Sequence, residues 1–323
     1  MKLRIGSRGS QLALWQANHI AELLRGQGHS VAIEIIKTTG DRLWRVAFSQ
    51  VDAKGMFIKE IEEALAAGSI DLAVHSLKDM PTELPEPFVL AATPAREDAR
   101  DAFVSVKFAS LAALPSGACV GTSSQRRRAL LKALLPGVEA VEFRGNVDTR
   151  LRKLAEGQVD AILLAIAGLD RLEKSTWVRE RLDPSIFCPA AGQGALGIEA
   201  RKGDAATIAA VAFLDDAATR FAVTAERAAL AALGGGCQVP IGIYCRARVE
   251  QADGGAAEQW DEIFGVVADP ETGKAVRVHH RETRHRSLPA GEDAAALGQL
   301  AAQMLIEAGA GPLLAAASAR GSR

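Results

Sequence analysis

Hydrophobic and polar positions follow two rhythms along the first two thirds of the chain. "KLRI" at Lys2 is a short apolar-leaning strand, and "GSRGS" turns after it. In "QLALWQANHIAELLRGQG" the residues Leu12, Trp15, Ile20, Leu23 and Leu24 approximate a 3.6-residue period, with Gly26 or Gly28 suited to the stop. "VAIEIIKTT" reads as the next strand. "MFIKEIEEALAAG" then sets Ile58, Ile61 and Leu65 on one helical face and closes at Gly68, a left-handed cap. "GSIDLAVHSLKDMP" predicts a buried strand over residues 70–74 that turns polar at its carboxyl end.

Part of this grammar repeats. "GSIDLAV" rhymes with "GQVDAILLA" at Gly157, and "IGSRGSQ" at Ile5 rhymes with "VGTSSQ" at Val120. The expectation is two similar α/β lobes, the second inside residues 100–190. After Thr219 the texture changes to a helix, "AVTAERAALAAL", three strand-like segments and a final helix, "DAAALGQLAAQMLIEAG". That predicts a small α+β domain over residues 217–314, with a frayed tail beyond Leu314.

Composition narrows the function classes. The 323 residues suffice for two or three domains, and 48% hydrophobic with 24% charged is ordinary globular usage. A formal net charge of −1 gives no global pull toward nucleic acid or anionic membranes, so an anionic ligand must be drawn by local arginines. Aromatics are 5% of the chain and none interleaves with the basic turns, which argues against base stacking. No Walker pattern occurs. The opening "MKLRIGSRGS" lacks a signal-peptide core, and four cysteines make no disulfide framework, so the expected setting is cytoplasmic.

Three turns combine small hydroxyl residues with arginine at predicted helix starts. They are "GSRGS" with Arg8 and Ser10, "GTSSQRRR" with Thr122, Ser123, Ser124, Arg126 and Arg127, and "FRGNVDTRLRK" with Arg144, Gly145, Asn146 and Arg150. Helix starts offer unpaired N–H groups and a partial positive charge, and arginine grips carboxylates bidentately. Taken singly, each turn reads first as a helix cap with solvated arginines. Three of one design point to a polyanionic, carboxylate-rich small ligand.

Asp79 follows the buried strand, with Ser76 and Lys78 beside it; strict alternation would give those two a common face. Asp-Met-Pro alone is a turn. Among cationic groups, however, the carboxylate stays ionised and can stabilise developing positive charge or move protons. His75 reads as packed or hydrogen-bonded, and His279 and His280 as opposite faces of a strand. In "GGGCQVPIG", Cys237 stands on a run of glycines beyond a helix carboxyl end, a position that does not depress a thiol pKa. Such a thiol suits one permanent bond to a prosthetic group better than a cycling nucleophile. Cys119, Cys188 and Cys245 read as core or incidental.

These residues converge on a family. "GSRGSQLALWQA", "KGMFIKEIEEAL", "DLAVHSLKDMPTELP", "REDARDAF", "GTSSQRRRALL", "FRGNVDTRLRKL", "LLAIAGLDRL", "PAAGQGALGIE" and "GGGCQVPIG" resemble porphobilinogen deaminases, in that family's order and from end to end. The resemblance implies an α/β fold of two lobes like those of periplasmic binding proteins around a cleft, plus the small C-terminal α+β domain. Domain 1 would be discontinuous, residues 1–95 and 195–214, with domain 2 at 100–190. It implies a dipyrromethane cofactor in thioether linkage to Cys237 and stepwise deaminating condensation of four porphobilinogen molecules onto it, ending in release of hydroxymethylbilane.

Asp79 matches the family's catalytic aspartate, which would hydrogen-bond pyrrole N–H groups and offset the cationic charge left when ammonia departs. By motif position Arg8, Arg126, Arg127, Arg144 and Arg150 grip cofactor and substrate, supported by Ser10, Ser76, Lys78, Thr122, Ser123, Ser124, Gly145, Asn146 and Gln193. Arg171 is a further contact, and Lys54 and Lys59 flank "GMF" in a segment expected to cover the cleft. Gly234 departs from a frequent asparagine. The expected partner is porphobilinogen alone, with no nucleic acid or membrane, and the expected state a monomer. The rival reading is a non-catalytic two-lobed binder of an organic anion, which leaves Cys237 unexplained.

Overall fold

The computed structural model describes residues 1–38, 58–235, 239–251, 257–283 and 290–321. Its strands, in chain order, are β1 (Lys2–Ser7), β2 (Ser30–Ile35), β3 (Leu72–Ser76), β4 (Phe88–Ala92), β5 (Asp101–Val104), β6 (Cys119–Gly121) and β7 (Glu139–Val141). They continue with β8 (Ala161–Ala165), β9 (Val178–Arg181), β10 (Leu196–Arg201), β11 (Ile241–Gln251), β12 (Ala257–Ala268) and β13 (Ala275–Thr283). The chain divides into two compact units, Met1–Glu97 with Gly194–Arg220, and Asp98–Gln193 with Phe221–Arg323.

The first unit is built on a sheet of order β2-β1-β3-β10-β4. β1 runs parallel to β2 and β3, whereas β10 is antiparallel to β3 and β4. Helix α1 (Gln11–Gly26) begins on the Ser10 cap and buries Ala17, Ile20, Ala21 and Leu24 against Leu3, Ile5, Leu72, Val74 and Ile198. Helix α2 (Lys59–Ala66) packs Ile61 and Leu65 on Ile70, Ala73 and Phe88. Strand alternation explains the division, since Leu72 and Val74 go to one helix and Ala73 to the other. Burying a Leu or Ile side chain contributes about 1.5–3 kcal/mol, so these two apolar stripes fix the sandwich.

The second unit holds a sheet of order β7-β6-β8-β5-β9, in which β6 is parallel to β7 and β8 and β5 is antiparallel to β8 and β9. Each sheet therefore has the order second-first-third, followed by one reversed strand and an edge strand. The sequence rhymes between Ile5 and Val120, and between the segments before β3 and β8, are the trace of this shared plan. Helices α3 (Gln125–Leu134), α4 (Val147–Ala155) and α5 (Ile166–Arg171) belong to this unit, and α6 (Ala205–Val211) to the first.

The same unit contains an antiparallel meander, β11-β12-β13, under α7 (Ala217–Ala232) and α8 (Ala290–Leu305). Ala225, Ala229, Ile243, Ile263, Leu297 and Leu305 form its core. Phe264, Val266 and Ala268 of β12 join Phe103, Leu130 and Phe187 in a second core, which ties this meander to the five-stranded sheet. Beyond Leu314 the chain is helical rather than frayed: α9 covers Gly311–Gly321. The stretch Gly291–Ala317 is long and apolar enough to cross a membrane by length and composition. It breaks at Gly309 (φ 97°), and Ala294, Leu297, Ala301 and Leu305 are core residues.

Candidate functional site

In the first unit the sequence-predicted residues gather where parallel strands end and helices begin, as open α/β sheets lead one to expect. After β1, the Ser10 hydroxyl caps α1 by accepting from Ala13 N at 3.3 Å, and the Ser7 hydroxyl donates to Ala13 O at 3.1 Å. Arg8, half-buried, stands between them. β3 ends at Ser76, whose Oγ accepts from Gln16 Nε2 at 2.8 Å.

There the alternation expected for Ser76 and Lys78 fails, because Leu77–Asp79 form a single 3₁₀ turn. Leu77 N donates to Ala195 O at 3.0 Å and Met80 N to Leu77 O at 3.1 Å, bonds that stop the strand and turn Asp79 outward. Asp79 is exposed, and no described residue pairs with its carboxylate. Lys78 is half-buried. His75 lies beneath, its Nε2 2.9 Å from Oε2 of buried Glu199.

In the second unit, Gly121 is required at the end of β6, since a Cβ there would stand 2.6 Å from the Phe143 ring. Thr122 N then donates to Val141 O at 2.9 Å, and buried Thr122 Oγ1 accepts from Ser124 N at 3.3 Å. Ser124 caps α3, accepting from Arg127 N at 3.4 Å, and Ser123 is half-buried beside it. Arg126 and Arg127 point inward to Asp101 of β5. Arg126 Nη1 donates to Asp101 Oδ2 and to Cys188 O, both at 2.7 Å. Arg127 donates to Asp101 Oδ1 from Nε at 3.0 Å and Nη2 at 2.7 Å, and from Nη1 to Leu163 O at 3.0 Å.

Gln193, also buried, donates from Nε2 to Asp101 Oδ1 at 2.9 Å and Ala99 O at 2.8 Å. Burial alone would raise the Asp101 pKa, yet the two guanidinium groups hold it well below the carboxylate range. The three sequence-predicted residues are thus organised by a carboxylate that sequence reasoning did not single out, although it lies in the quoted "REDARDAF". No spacing signal links Asp101 to arginines a helix away.

The third turn carries the unpaired charge. Gly145 takes φ 143°, where a Cβ would also press within 2.9 Å of Thr149 Cγ2, and Asn146 caps α4 through Thr149 N at 2.8 Å. Arg144 Nε donates to Glu142 Oε1 at 2.6 Å. Arg150, one turn into α4, has a buried Nε with no hydrogen-bond partner and no ion pair among the described residues. Burial lowers its pKa to about 10, with Arg127 and Arg144 adding to the shift and Glu142 opposing it. A desolvated guanidinium among other cations is stabilised by an incoming anion.

Arg171 is buried in α5, and Lys59 is exposed with Nζ 4.0 Å from Glu63. Lys54 and Cys237 lie outside the described residues. On β13, His279 meets Glu262 at 2.8 Å while His280 meets Glu282 at 3.3 Å, so the adjacent histidines serve different partners. Among the described residues no group of three His, Cys, Asp or Glu side chains is arranged to hold a metal.

In the first unit the donors are the α1 start with its capping hydroxyl; in the second they are the α3 and α4 starts, their hydroxyls and a half-buried guanidinium with no partner among the described residues. Each set is of a kind that suits carboxylate groups. The fold is that of an α/β protein with two five-stranded sheets and a C-terminal meander.

Residues 3–209 match the family described as porphobilinogen deaminase, dipyromethane cofactor binding domain, and residues 220–307 match its C-terminal domain. The chain belongs to the porphobilinogen deaminase family. It is 49% identical over 316 residues to the porphobilinogen deaminase of Nitratidesulfovibrio vulgaris (strain DSM 19637 / Miyazaki F), covering 97% of this chain and 96% of that one. To the enzyme of Roseiflexus castenholzii it is 45% identical over 317 residues, 97% and 98% of the two chains. Among solved structures, a periplasmic substrate-binding protein from Coxiella burnetii aligns with TM-score 0.41 at 18% identity, covering 66% of this chain and 91% of that one.

Proposed function

We propose that this protein condenses four porphobilinogen units, each with loss of ammonia, onto a dipyrromethane held by Cys237, and then releases hydroxymethylbilane by hydrolysis, with water supplying the hydroxyl group. Two observations support the site assignment, one within each unit. An exposed carboxylate, Asp79, has no partner among the described residues, and a desolvated guanidinium, Arg150, likewise has none.

When bound, the dipyrromethane would supply the electron-rich terminal pyrrole carbon to which the first unit is joined, each later unit joining the free end of the lengthened chain. Arg150 and Arg144, with the capped turns at Ser124 and Asn146, bind carboxylate arms. Arg126 and Arg127, neutralised in part by Asp101, contribute a positive field more than free donors. Arg8 and the α1 start at Ser10 bind further carboxylates. Asp79 accepts hydrogen bonds from pyrrole N–H groups through its carboxylate oxygens, offsets the cation formed as ammonia leaves, and takes up the proton lost from the joined carbon. A general acid–base group of this kind contributes about 10²–10⁴ in rate. Thr122, Ser123, Gly145, Asn146, Ser76, Lys78, Gln193, Arg171, Lys54 and Lys59 support binding.

The functional domains are 1–95 with 195–214, 100–190, and 217–314, acting in a cytoplasmic monomer that engages neither nucleic acid nor membrane. Intact-protein mass spectrometry with an ammonia-release assay tests the reading. Active protein should carry the added mass of a dipyrromethane located at Cys237 by peptide mapping. Active protein with an unmodified Cys237 would refute it.

A further inference from the structure

The turn that bears Asp79 is tethered from both faces of its sheet. On one face Gln16 of α1 donates to Ser76 at 2.8 Å. On the other, β3 turns His75 toward the α2 side, the side to which Ala73 also points. In register His75 stands opposite Gly197, so Glu199 of β10 is its diagonal neighbour on that face, and the two side chains meet at 2.9 Å. His75 is 7% exposed and Glu199 0%.

β10 is the bed on which the turn lies. Ala195 O accepts from Leu77 N at 3.0 Å, and a Cβ on Gly197 would stand 2.7 Å from Met80 Sδ and 2.9 Å from Leu77 Cδ1. Packing does not account for an imidazole and a carboxylate in this layer. Apolar side chains of the same volume, like the adjacent Ile61, Leu65 and Phe88, avoid the desolvation of an ionisable pair. The second oxygen of Glu199, Oε1, is buried with no hydrogen-bond partner among the described residues, so this carboxylate is held chiefly for the sake of His75. Glu62 of α2 faces the pair, and its carboxyl is raised by burial and by Glu199, with His75 opposing.

We propose that His75 is a positioning residue for the reaction: gripped by Glu199, it fixes the path of β3 into the Leu77–Asp79 turn and so the place of the Asp79 carboxylate. The inference rests on the reading of Asp79 as the catalytic carboxylate. It acts through the backbone, with no contact between His75 and the ligand required.

The test uses cofactor-loaded protein and three variants. His75→Gln keeps a nitrogen donor for Glu199 and should hold kcat within about 3-fold. His75→Leu should lower kcat by about 30- to 100-fold with KM within about 2-fold, because a misplacement of about 1 Å can cost about 10²-fold. The double variant His75→Leu/Glu199→Leu removes the stranded carboxylate and should regain Tm while remaining as slow as His75→Leu.

A double variant whose kcat returns together with its Tm overturns the proposal, since the pair would then serve stability alone. A His75→Leu protein with normal kcat overturns it as well. If His75→Leu does not fold, the double variant decides by itself. Asp79→Asn, assayed in parallel, separates the two levels. A fully active Asp79→Asn removes the catalytic reading beneath this inference, whereas an inactive Asp79→Asn beside a fully active double variant removes the inference only.

Discussion

Arg127 and Asp101 meet fork to oxygen in the interior of the second unit: Nε and Nη2 converge on Oδ1 at 3.0 and 2.7 Å, while Arg126 takes Oδ2 at 2.7 Å. One carboxylate thus serves two guanidinium groups at the start of α3. The arrangement is rigid as well as charged, since each arginine also reaches a backbone carbonyl, Leu163 O or Cys188 O. Arg150 stands in the field of Arg127 without a carboxylate of its own among the described residues.

Removing Asp101 should damage stability before it damages chemistry. Asp101→Asn takes the shared carboxylate away from two buried guanidinium groups, and breaking a buried ion pair costs about 3–5 kcal/mol. Urea denaturation at neutral pH measures the loss. The sign of its pH dependence follows from the depressed carboxyl. Its contribution is complete above the unfolded-state value of about 3.9 and fades only as the pH falls through the much lower folded value. The stability gap between wild type and Asp101→Asn should therefore stay constant from pH 7 to about 5 and close only in strong acid.

Arg150→Gln should behave in the opposite manner. The substitution removes a desolvated cation that has no protein partner among the described residues, so the free protein should be as stable as wild type or more so in thermal melts. Porphobilinogen turnover should suffer instead, with KM rising about 10-fold or more, because a charge-assisted hydrogen bond contributes about 1.5–3 kcal/mol. Wild-type KM should also rise as pH passes about 10, where this guanidinium loses its proton in the folded protein. In that range stability rises with pH, since the unfolded chain holds the proton that the folded chain gives up.

Asp79→Asn isolates chemistry from folding. The side chain is exposed and pairs with no described residue, so stability should stay within about 0.5 kcal/mol of wild type. kcat should fall by about 10²–10⁴, and mass spectrometry should still find the cofactor attached. Near-normal turnover would take Asp79 out of the mechanism.

The two buried cysteines, Cys188 and Cys245, should be silent toward alkylation. Burial pushes the Cys188 thiol up to about 12, Cys245 is buried, and Cys119 is raised by burial, Glu139 and Asp160. Peptide mapping after iodoacetamide treatment of native protein should show little label at Cys188 and Cys245, with full label there only after unfolding, and earlier label at the half-buried Cys119. Rapid labelling of native Cys188 would contradict its place in the core.

Much of this was legible in the residues, for physical reasons that can be named. Ser10, Ser124 and Asn146 are local signals, because a cap is decided by neighbours three residues away, and each does cap a helix. The two-lobed plan showed through because the strand–turn–helix at Ile5 and at Val120 must solve the same packing problem. Asp101 and Glu199 did not show. Their partners, Arg127 and His75, lie 26 and 124 positions away, and only the sheet orders bring them together. The turn at Asp79 was missed as a turn of helix because alternation gives no warning of Leu77 N finding Ala195 O. The helix at Gly311–Gly321 was missed because its small residues read as a tail.

Glu97 N donates to Gly194 O at 3.3 Å, so the chain leaves the first unit and re-enters it at adjoining points. The 96 residues between them amount to a cassette spliced into a host that already closes on itself. Ligating residue 97 to 194 through a short glycine bridge would therefore leave the order β2-β1-β3-β10-β4 uninterrupted.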